Sequence, residues 1–173
     1  MMGGANSPAV LWQPAYVGLG GNVGDSEAMI ARAEGELARL PHTRLVGVSP
    51  RYRSRAFGPV PQGDFVNAVA ALLTRLGPRD LLAHLRSIEI ALGRQPAQVR
   101  WGPREIDLDL LIFGDVCSEE SALRLPHPGI PERDFVLYPL RDIAACLHVP
   151  GLGTVGELAA RVADRGIERI ERA

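Results

Sequence analysis

The chain has 173 residues, with 46% hydrophobic and 23% charged residues and a formal net charge of −1. That composition suits about one globular domain and excludes wholesale disorder, and the balanced charge supplies no overall field for nucleic acid or anionic lipid. All 19 basic residues are Arg, which excludes a Lys Schiff base, a P-loop Lys and a Lys general base.

No apolar stretch approaches the ~20 residues that a membrane-crossing helix needs. Cys117 and Cys146 are too far apart for a zinc pattern or a disulfide framework, and the expectation is two small buried thiols in a reducing compartment. Residues 1–14 lack the basic and apolar regions of a secretory signal. They are expected to be a flexible extension, with residues 15–173 forming a single domain.

Tyr16 to Gly20 reads as a short buried strand ending in glycines, and Asp25 as the cap of a helix starting near Ser26. Ile30, Ala33, Leu37 and Leu40 share one helical face, and Pro41 ends that helix. A second strand fits Arg44 to Arg53. A loop rich in breakers follows, with Gly58, Pro59, Pro61 and Gly63. Phe65 to Thr74 is a third strand, apolar on both faces. Gly77-Pro78 opens a second helix with Leu81, Leu85, Ile88 and Leu92 on one face, and Gly93 closes it. Residues 94–104 form a loop carrying Arg94, Pro96, Arg100, Trp101, Gly102, Pro103 and Arg104, and Ile106 to Phe113 is a fourth strand.

The order β-α-β-β-α-β predicts an α+β, ferredoxin-like antiparallel sheet with both helices on one face and the other face free. Residues 115–173 hold short helical patterns near 132–145 and 154–165 and read as a C-terminal extension of the same domain.

The chemistry concentrates in the fourth strand. Alternation points Ile106, Leu108, Leu110 and Ile112 to one side and Asp107 and Asp109 to the other. The two Asp Cα atoms would lie ~7 Å apart. Two bare charges at that distance repel by roughly 2 kcal/mol at an effective dielectric near 20. Asp is also a poor strand former. A divalent cation bound to a polyphosphate removes both objections. Two solvated surface carboxylates are the plain alternative, but Arg94, Arg100 and Arg104 stand beside the pair in a loop stiffened by Trp101, Gly102 and Pro103. An anion between cation and guanidiniums accounts for that company.

On the third strand, Phe65 and Asn67 share a face, a ring beside an amide that offers both donor and acceptor to a flat heterocycle. Core packing is the alternative for the ring. Gly18-Leu19-Gly20-Gly21-Asn22-Val23-Gly24-Asp25 is neither a dinucleotide fingerprint nor a Walker loop, and fits a tight strand-to-helix turn with close backbone approach to a ligand as a second use. His127 is held between Pro126 and Pro128, while His42 and His84 are expected at the surface. Glu89 reads as a helix-surface carboxylate beside the apolar stripe.

These blocks together resemble the 6-hydroxymethyl-7,8-dihydropterin pyrophosphokinases of folate biosynthesis. The resemblance runs from Tyr16 to Leu147. It rests on Gly18-Leu19-Gly20-Gly21-Asn22, Asp64-Phe65-Val66-Asn67-Ala68, Gly93-Arg94, Arg100-Trp101-Gly102-Pro103-Arg104-Glu105-Ile106-Asp107-Leu108-Asp109, Pro126-His127-Pro128 and Arg133-Asp134-Phe135.

It implies transfer of pyrophosphate from ATP to the pterin hydroxymethyl oxygen, with release of AMP. Asp107 and Asp109 would bind two Mg²⁺, and Arg94 and Arg104 would join them as catalytic groups. Glu89, Arg94, Arg100, Trp101, Arg104, Leu110, His127 and Arg133 would form the ATP site. Ser54, Phe57, Phe65, Asn67, Trp101 and Phe135 would form the pterin site, with Phe65 and Phe135 sandwiching the ring. Trp101 would sit in a mobile loop that closes over the substrates. Many relatives carry a basic residue where this chain has Pro96, and Arg100 is the candidate replacement. The implied protein is a cytoplasmic monomer acting on small molecules. A metal-dependent phosphohydrolase or nuclease using the same Asp pair, and a non-catalytic ligand-binding module, are the competing readings.

Overall fold

The computed structural model describes residues 11–56, 58–95 and 102–171. Seven elements build its frame. They are β1 (Gln13–Gly21), α1 (Ser26–Ala38), β2 (Thr43–Val48), β3 (Tyr52–Ser54), β4 (Phe65–Thr74), α2 (Pro78–Ala91) and β5 (Asp107–Phe113). The first strand starts at Gln13, upstream of the expected Tyr16, so Gln13 and Pro14 belong to the sheet rather than to an extension.

The strand expected over 44–53 is two strands. Both pair antiparallel with β4, β2 against its Ala70–Thr74 half and β3 against its Phe65–Asn67 half. The break falls at Ser49-Pro50, where Pro50 has no N–H to give a ladder. Ser49 bridges the gap: its N–H donates to the Val69 carbonyl and its Oγ accepts from the Val69 N–H, both at 2.9 Å. Strand β1 lies between β4 and β5 and is antiparallel to both.

Helices α1 and α2 cover one face. Ile30, Ala33 and Leu37 of α1 and Leu81, Leu85 and Ile88 of α2 pack on Ala15, Val17 and Leu19 of β1, on Ala68, Ala70 and Leu72 of β4, and on Leu108 and Leu110 of β5. Asp25 caps α1 by accepting the Ala28 N–H at 3.0 Å, as the turn reading expects.

The other face is not free. After a small hairpin, β6 (Ser118–Glu120) and β7 (Leu123–Leu125), the chain returns beneath the sheet as a 3₁₀ turn (Ile130–Glu132) and α3 (Asp134–Ala144). A two-residue pair, β8 (His148–Val149) and β9 (Gly153–Thr154), leads into α4 (Val155–Arg161), and β10 (Glu168–Arg169) joins the sheet edge at β3. Val136, Leu137 and Leu140 of α3 and Val155, Leu158 and Ala159 of α4 bury Val69, Leu111 and Ile112. The amphipathic patterns near 132–145 and 154–165 therefore make a second helical layer, because an apolar stripe must find a partner.

A register shift between β1 and β5 explains a further difference. Tyr16 pairs with Ile112 but Val17 with Leu110, so Leu111 is an extra residue. Such a bulge reverses the alternation beyond it. Ile112 consequently packs with α3 and α4, and Phe113 takes the side beneath α1 and α2. The two cysteines also depart from expectation: both are exposed.

The end of β1 packs tightly on the segment before β5. A Cβ at Gly21 would lie 2.5 Å from the Glu105 carbonyl oxygen. Since backbone on both sides has little room to yield, Gly21→Ala should destabilise the protein by about 1–3 kcal/mol. Urea unfolding of the two proteins measures the loss; an unchanged midpoint would show that the 104–105 segment moves freely.

Candidate active site

Alternation of β1 puts Tyr16, Gly18 and Gly20 on the face away from α1 and α2. Across the sheet, Gly20 pairs with Asn67 on one side and Asp107 on the other, and Gly18 with Val69 and Asp109. The central strand thus carries no side chain between the amide of β4 and the carboxylates of β5. Two strand spacings put the Cα atoms of Asn67 and Asp107 ~10 Å apart. Where α3 ends its cover, this floor opens as a cavity of about 360 Å³. Ser54, Phe65, Asn67, Arg104, Asp107, Asp109, His127, Arg133 and Phe135, all expected from the sequence, line it.

One end of the cavity is charged. Asp107 is clamped between two guanidiniums, with Arg94 at 3.0 Å from one carboxylate oxygen and Arg104 at 2.7 Å from the other. Arg94 also pairs with Glu89. Glu89 is buried, not on the surface as its helical position suggested, and its Oε1 accepts the Leu108 N–H at 2.6 Å. Leu108 lies on an edge strand, so that N–H would otherwise lack a ladder partner. Burial raises the Glu89 pKa, against the pull of the Leu108 N–H and Arg94.

Asp109 stands deeper. Burial, with the Asp107 charge added, pushes its pKa up to about 7, while Arg133 and Arg104 oppose the rise. A carboxyl so far above the usual range is one for which the surroundings provide too little positive charge.

The 126–135 segment supplies the neighbouring wall. The Leu125-Pro126 peptide is cis, and the next N–H, that of His127, donates to the Leu111 carbonyl at 2.8 Å. Gly129 N–H donates to His127 Nδ1 at 3.0 Å. Burial and the Arg133 charge lower the His127 pKa to about 4. At neutral pH the imidazole is uncharged, with Nδ1 as acceptor and the proton on Nε2. His127 therefore offers this cavity a neutral donor. The Arg133 guanidinium lies 5.7 Å from the centroid of the Phe135 ring.

The opposite end is aromatic and amide-lined. Phe65 and Phe135 approach it from β4 and from the start of α3. Asn67 is buried and donates through Nδ2 to Ser54 Oγ at 2.9 Å. A Cβ at Gly20 would sit 3.2 Å from Asn67 Oδ1, so glycine there leaves the amide its room.

Leu110 is not brought to the cavity; its side chain is buried beneath α1 and α2. Phe57, Arg100, Trp101 and Pro96 lie outside the described residues. Arg55 and Gln62 line the cavity although no sequence pattern marks them. Both stand in the irregular stretch between β3 and β4, where periodicity gives no orientation. Gly18 and Gly20 had their signal in the glycine run, whose second reading was backbone approach to a ligand.

The cavity thus sets a carboxylate pair flanked by guanidiniums opposite an aromatic slot with a polar edge. Comparison with known proteins gives the family. The family model described as 7,8-dihydro-6-hydroxymethylpterin-pyrophosphokinase matches residues 16–145. A 2-amino-4-hydroxy-6-hydroxymethyldihydropteridine pyrophosphokinase of Pseudomonas aeruginosa is 46% identical over 158 residues, covering 91% of this chain and 97% of its own. The Bacillus subtilis protein of the same name is 40% identical over 143 residues, covering 83% of this chain and 84% of its own. The crystal structure of wild-type Plasmodium falciparum HPPK-DHPS superposes with a TM-score of 0.68 at 14% identity, over 90% of this chain and 42% of that one, a likeness of fold. The chain belongs to the 7,8-dihydro-6-hydroxymethylpterin-pyrophosphokinase family.

The raised Asp109 pKa fixes the sign of a pH effect. Between the ordinary carboxylate pKa of 3.8 and about 7 the folded protein keeps a proton that the unfolded chain has released. Asp109 therefore makes stability fall as pH rises through that window, with no further change above it. In metal-free protein, Asp109→Asn should flatten the decline in Tm between pH 4 and 7 and melt above wild type at pH 8. Parallel Tm profiles for the two proteins would refute the assignment.

Proposed function

We propose that this chain transfers a diphosphate group from ATP to the hydroxymethyl oxygen of 6-hydroxymethyl-7,8-dihydropterin, releasing AMP, as a step in folate biosynthesis. Family membership supports the activity, and the row Asn67–Gly20–Asp107 carries it structurally. An aromatic and amide-lined slot and a cation-ready carboxylate pair share one floor, with no side chain between them. In the reaction a bond forms between the hydroxymethyl oxygen and the β-phosphorus, the bond from that phosphorus to the α,β-bridging oxygen breaks, and the hydroxyl proton is lost.

Asp107 and Asp109 fit Mg²⁺. They are hard oxygen donors on one face, and the high pKa of Asp109 marks a place short of positive charge. Among the described residues no group of three or more acidic, His or Cys side chains could hold a metal. Mg²⁺ binds through one or two carboxylates and fills its shell with water and phosphate oxygens, so the Asp pair is a sufficient donor set. Two such ions would bind there with the nucleotide. When bound, they neutralise phosphate charge and lower the pKa of a coordinated hydroxyl.

The chain's own groups supply position and charge, which dominate phosphoryl-transfer catalysis. Arg94 and Arg104, close enough to pair with Asp107, would turn to the phosphates as cations take the carboxylate. Arg133 would add a third guanidinium, and neutral His127 a donor from Nε2. Glu89, anchored on the Leu108 N–H, would orient Arg94. Phe65 and Phe135 would stack on the pterin, and Asn67 and Ser54 would meet its edge. Leu110 would serve the nucleotide site only as floor packing. Arg100, Trp101 and Phe57 keep the roles that the family likeness gives them.

The sheet order β2/β3–β4–β1–β5, with α1 and α2 on one face, supports a ferredoxin-like core, to which α3 and α4 add the second layer. Among the described residues no helix is long and apolar enough to cross a membrane. A cytoplasmic monomer acting on these two small molecules belongs to the same reading.

Calorimetry with a non-hydrolysable ATP analogue tests the metal assignment. Affinity should fall at least tenfold without Mg²⁺, and Asp109→Ala should lose that dependence together with nearly all turnover while still binding the pterin. Products should be AMP and a pterin diphosphate. Release of inorganic phosphate would point to a hydrolase, and Mg²⁺-independent binding without turnover to a ligand-binding module. Phe65→Ala or Phe135→Ala should weaken pterin binding about tenfold, the scale of one lost stacking contact, and leave the analogue unaffected.

A further inference from the structure

Phe135, the second residue of α3, borders two cavities. One is the cavity of the candidate site. The other, of about 240 Å³, is lined by Phe135 together with Ser54, Asp134 and Arg165. A ring that borders two cavities takes less of its position from close packing than a core ring does, so the backbone that carries it has to be held by other means.

Asp134 supplies them. Its side chain is a carboxyl group, yet the residue is only 1% exposed. Oδ1 accepts the Phe135 N–H at 2.8 Å, and Oδ2 accepts the Arg165 N–H, also at 2.8 Å. The first bond satisfies a donor at the start of α3, where the N-cap residue Arg133 gives no side-chain bond. The second reaches the segment between α4 and β10. A further bond joins the same two stretches of chain, since Arg165 Nη1 donates to the Glu132 carbonyl at 3.2 Å. Beyond Arg165, Glu168 and Arg169 pair with Arg53 and Tyr52 of β3, whose next residue is Ser54. Ser54 in turn accepts from Asn67. The carboxylate therefore links the backbone of the aromatic wall to the sheet edge that carries the polar groups of the slot.

We propose that Asp134 is a positioning residue for the heterocycle: its buried carboxylate braces the start of α3 against the 162–169 segment and so sets the distance of Phe135 from the sheet floor. The proposal rests on the reading of Phe135 as a pterin-stacking ring. The residue type follows from the bonds, because a carboxylate alone among side chains of this size offers two acceptor oxygens and no donor. Asp134→Asn keeps the shape and one acceptor, but turns an N–H donor toward the second backbone N–H.

The experiment titrates 6-hydroxymethylpterin into the full-length protein in the presence of Mg²⁺ and a non-hydrolysable ATP analogue. The analogue is also titrated alone, and its stoichiometry counts the folded protein in each preparation. Asp134→Asn should weaken the pterin about fivefold, less than loss of the ring itself, and leave the analogue within about twofold. In a Phe135→Ala background the same substitution should change pterin affinity less than about twofold, because the group it positions is gone. Arg165→Ala removes the bond to Glu132 from an exposed residue, so it tests the same brace without emptying a buried position. It should weaken the pterin about threefold, the scale of one hydrogen bond.

A purely structural role would lower Tm and weaken the pterin by one factor in both backgrounds, or weaken pterin and analogue alike; either result overturns the proposal. Unchanged pterin affinity in Asp134→Asn and Arg165→Ala, with Phe135→Ala weakened, would sink only the role of Asp134. Wild-type protein that does not bind the pterin, or a Phe135→Ala variant that binds it as wild type does, would sink the stacking reading together with the brace built on it.

Discussion

The structure is arranged around negative charge in a place where a sheet does not readily hold it. Asp107 and Asp109 project from the same face of β5 into a partly closed cavity, and each responds differently. Asp107 is satisfied by Arg94 and Arg104. Asp109, buried and under the field of Asp107, has its pKa raised instead. The neighbouring carboxylate Glu89 meets the problem a third way, with a backbone N–H and one guanidinium. In a medium of low dielectric these responses are the ones available short of a bound cation. The same imbalance is what the magnesium–polyphosphate complex of the proposed reaction would relieve.

The architecture serves that charge by keeping the rest of the floor bare. Gly18 and Gly20 occupy the cavity face of the central strand, so β4 and β5 look at each other across a gap without an intervening side chain. Helices α1 and α2 seal the opposite face, and α3 and α4 cover only part of the cavity face. The uncovered remainder is the cavity. Aromatic and amide groups come from β4 and the start of α3, cationic groups from the segments flanking β5 and from the 126–135 turn. A reaction between a flat heterocycle and a nucleotide needs both sets within one reach.

Much of this was legible in the chain. The helical stripes of α1 and α2 emerged from spacing alone, as did the Asp25 cap and the shared face of Asp107 and Asp109, because these depend on local periodicity. The bulge at Leu111 was not legible. It arises from pairing with β1, and nothing within residues 106–113 marks which residue will be extra. The division of 44–53 had a local sign in Pro50, but the length of each piece was set by β4. Glu89 looked like a surface carboxylate because its position on the helix wheel borders the apolar stripe; it is buried because the edge of β5 presents an N–H there. The exposed cysteines show the limit of composition, since a small sulfur side chain carries no directional pattern.

What the sequence settled alone was the alternation that faces two acids away from the apolar core, the helical stripes, and the motif set that assigns the family. Those are properties of neighbours along the chain. Tertiary structure decided which side of the sheet α3 and α4 would close, how far apart Asn67 and Asp107 would stand, and which guanidinium would meet which carboxylate. Such quantities depend on residues tens of positions apart meeting across a sheet, and electrostatic balance in a cavity is a sum over groups that only the folded chain assembles.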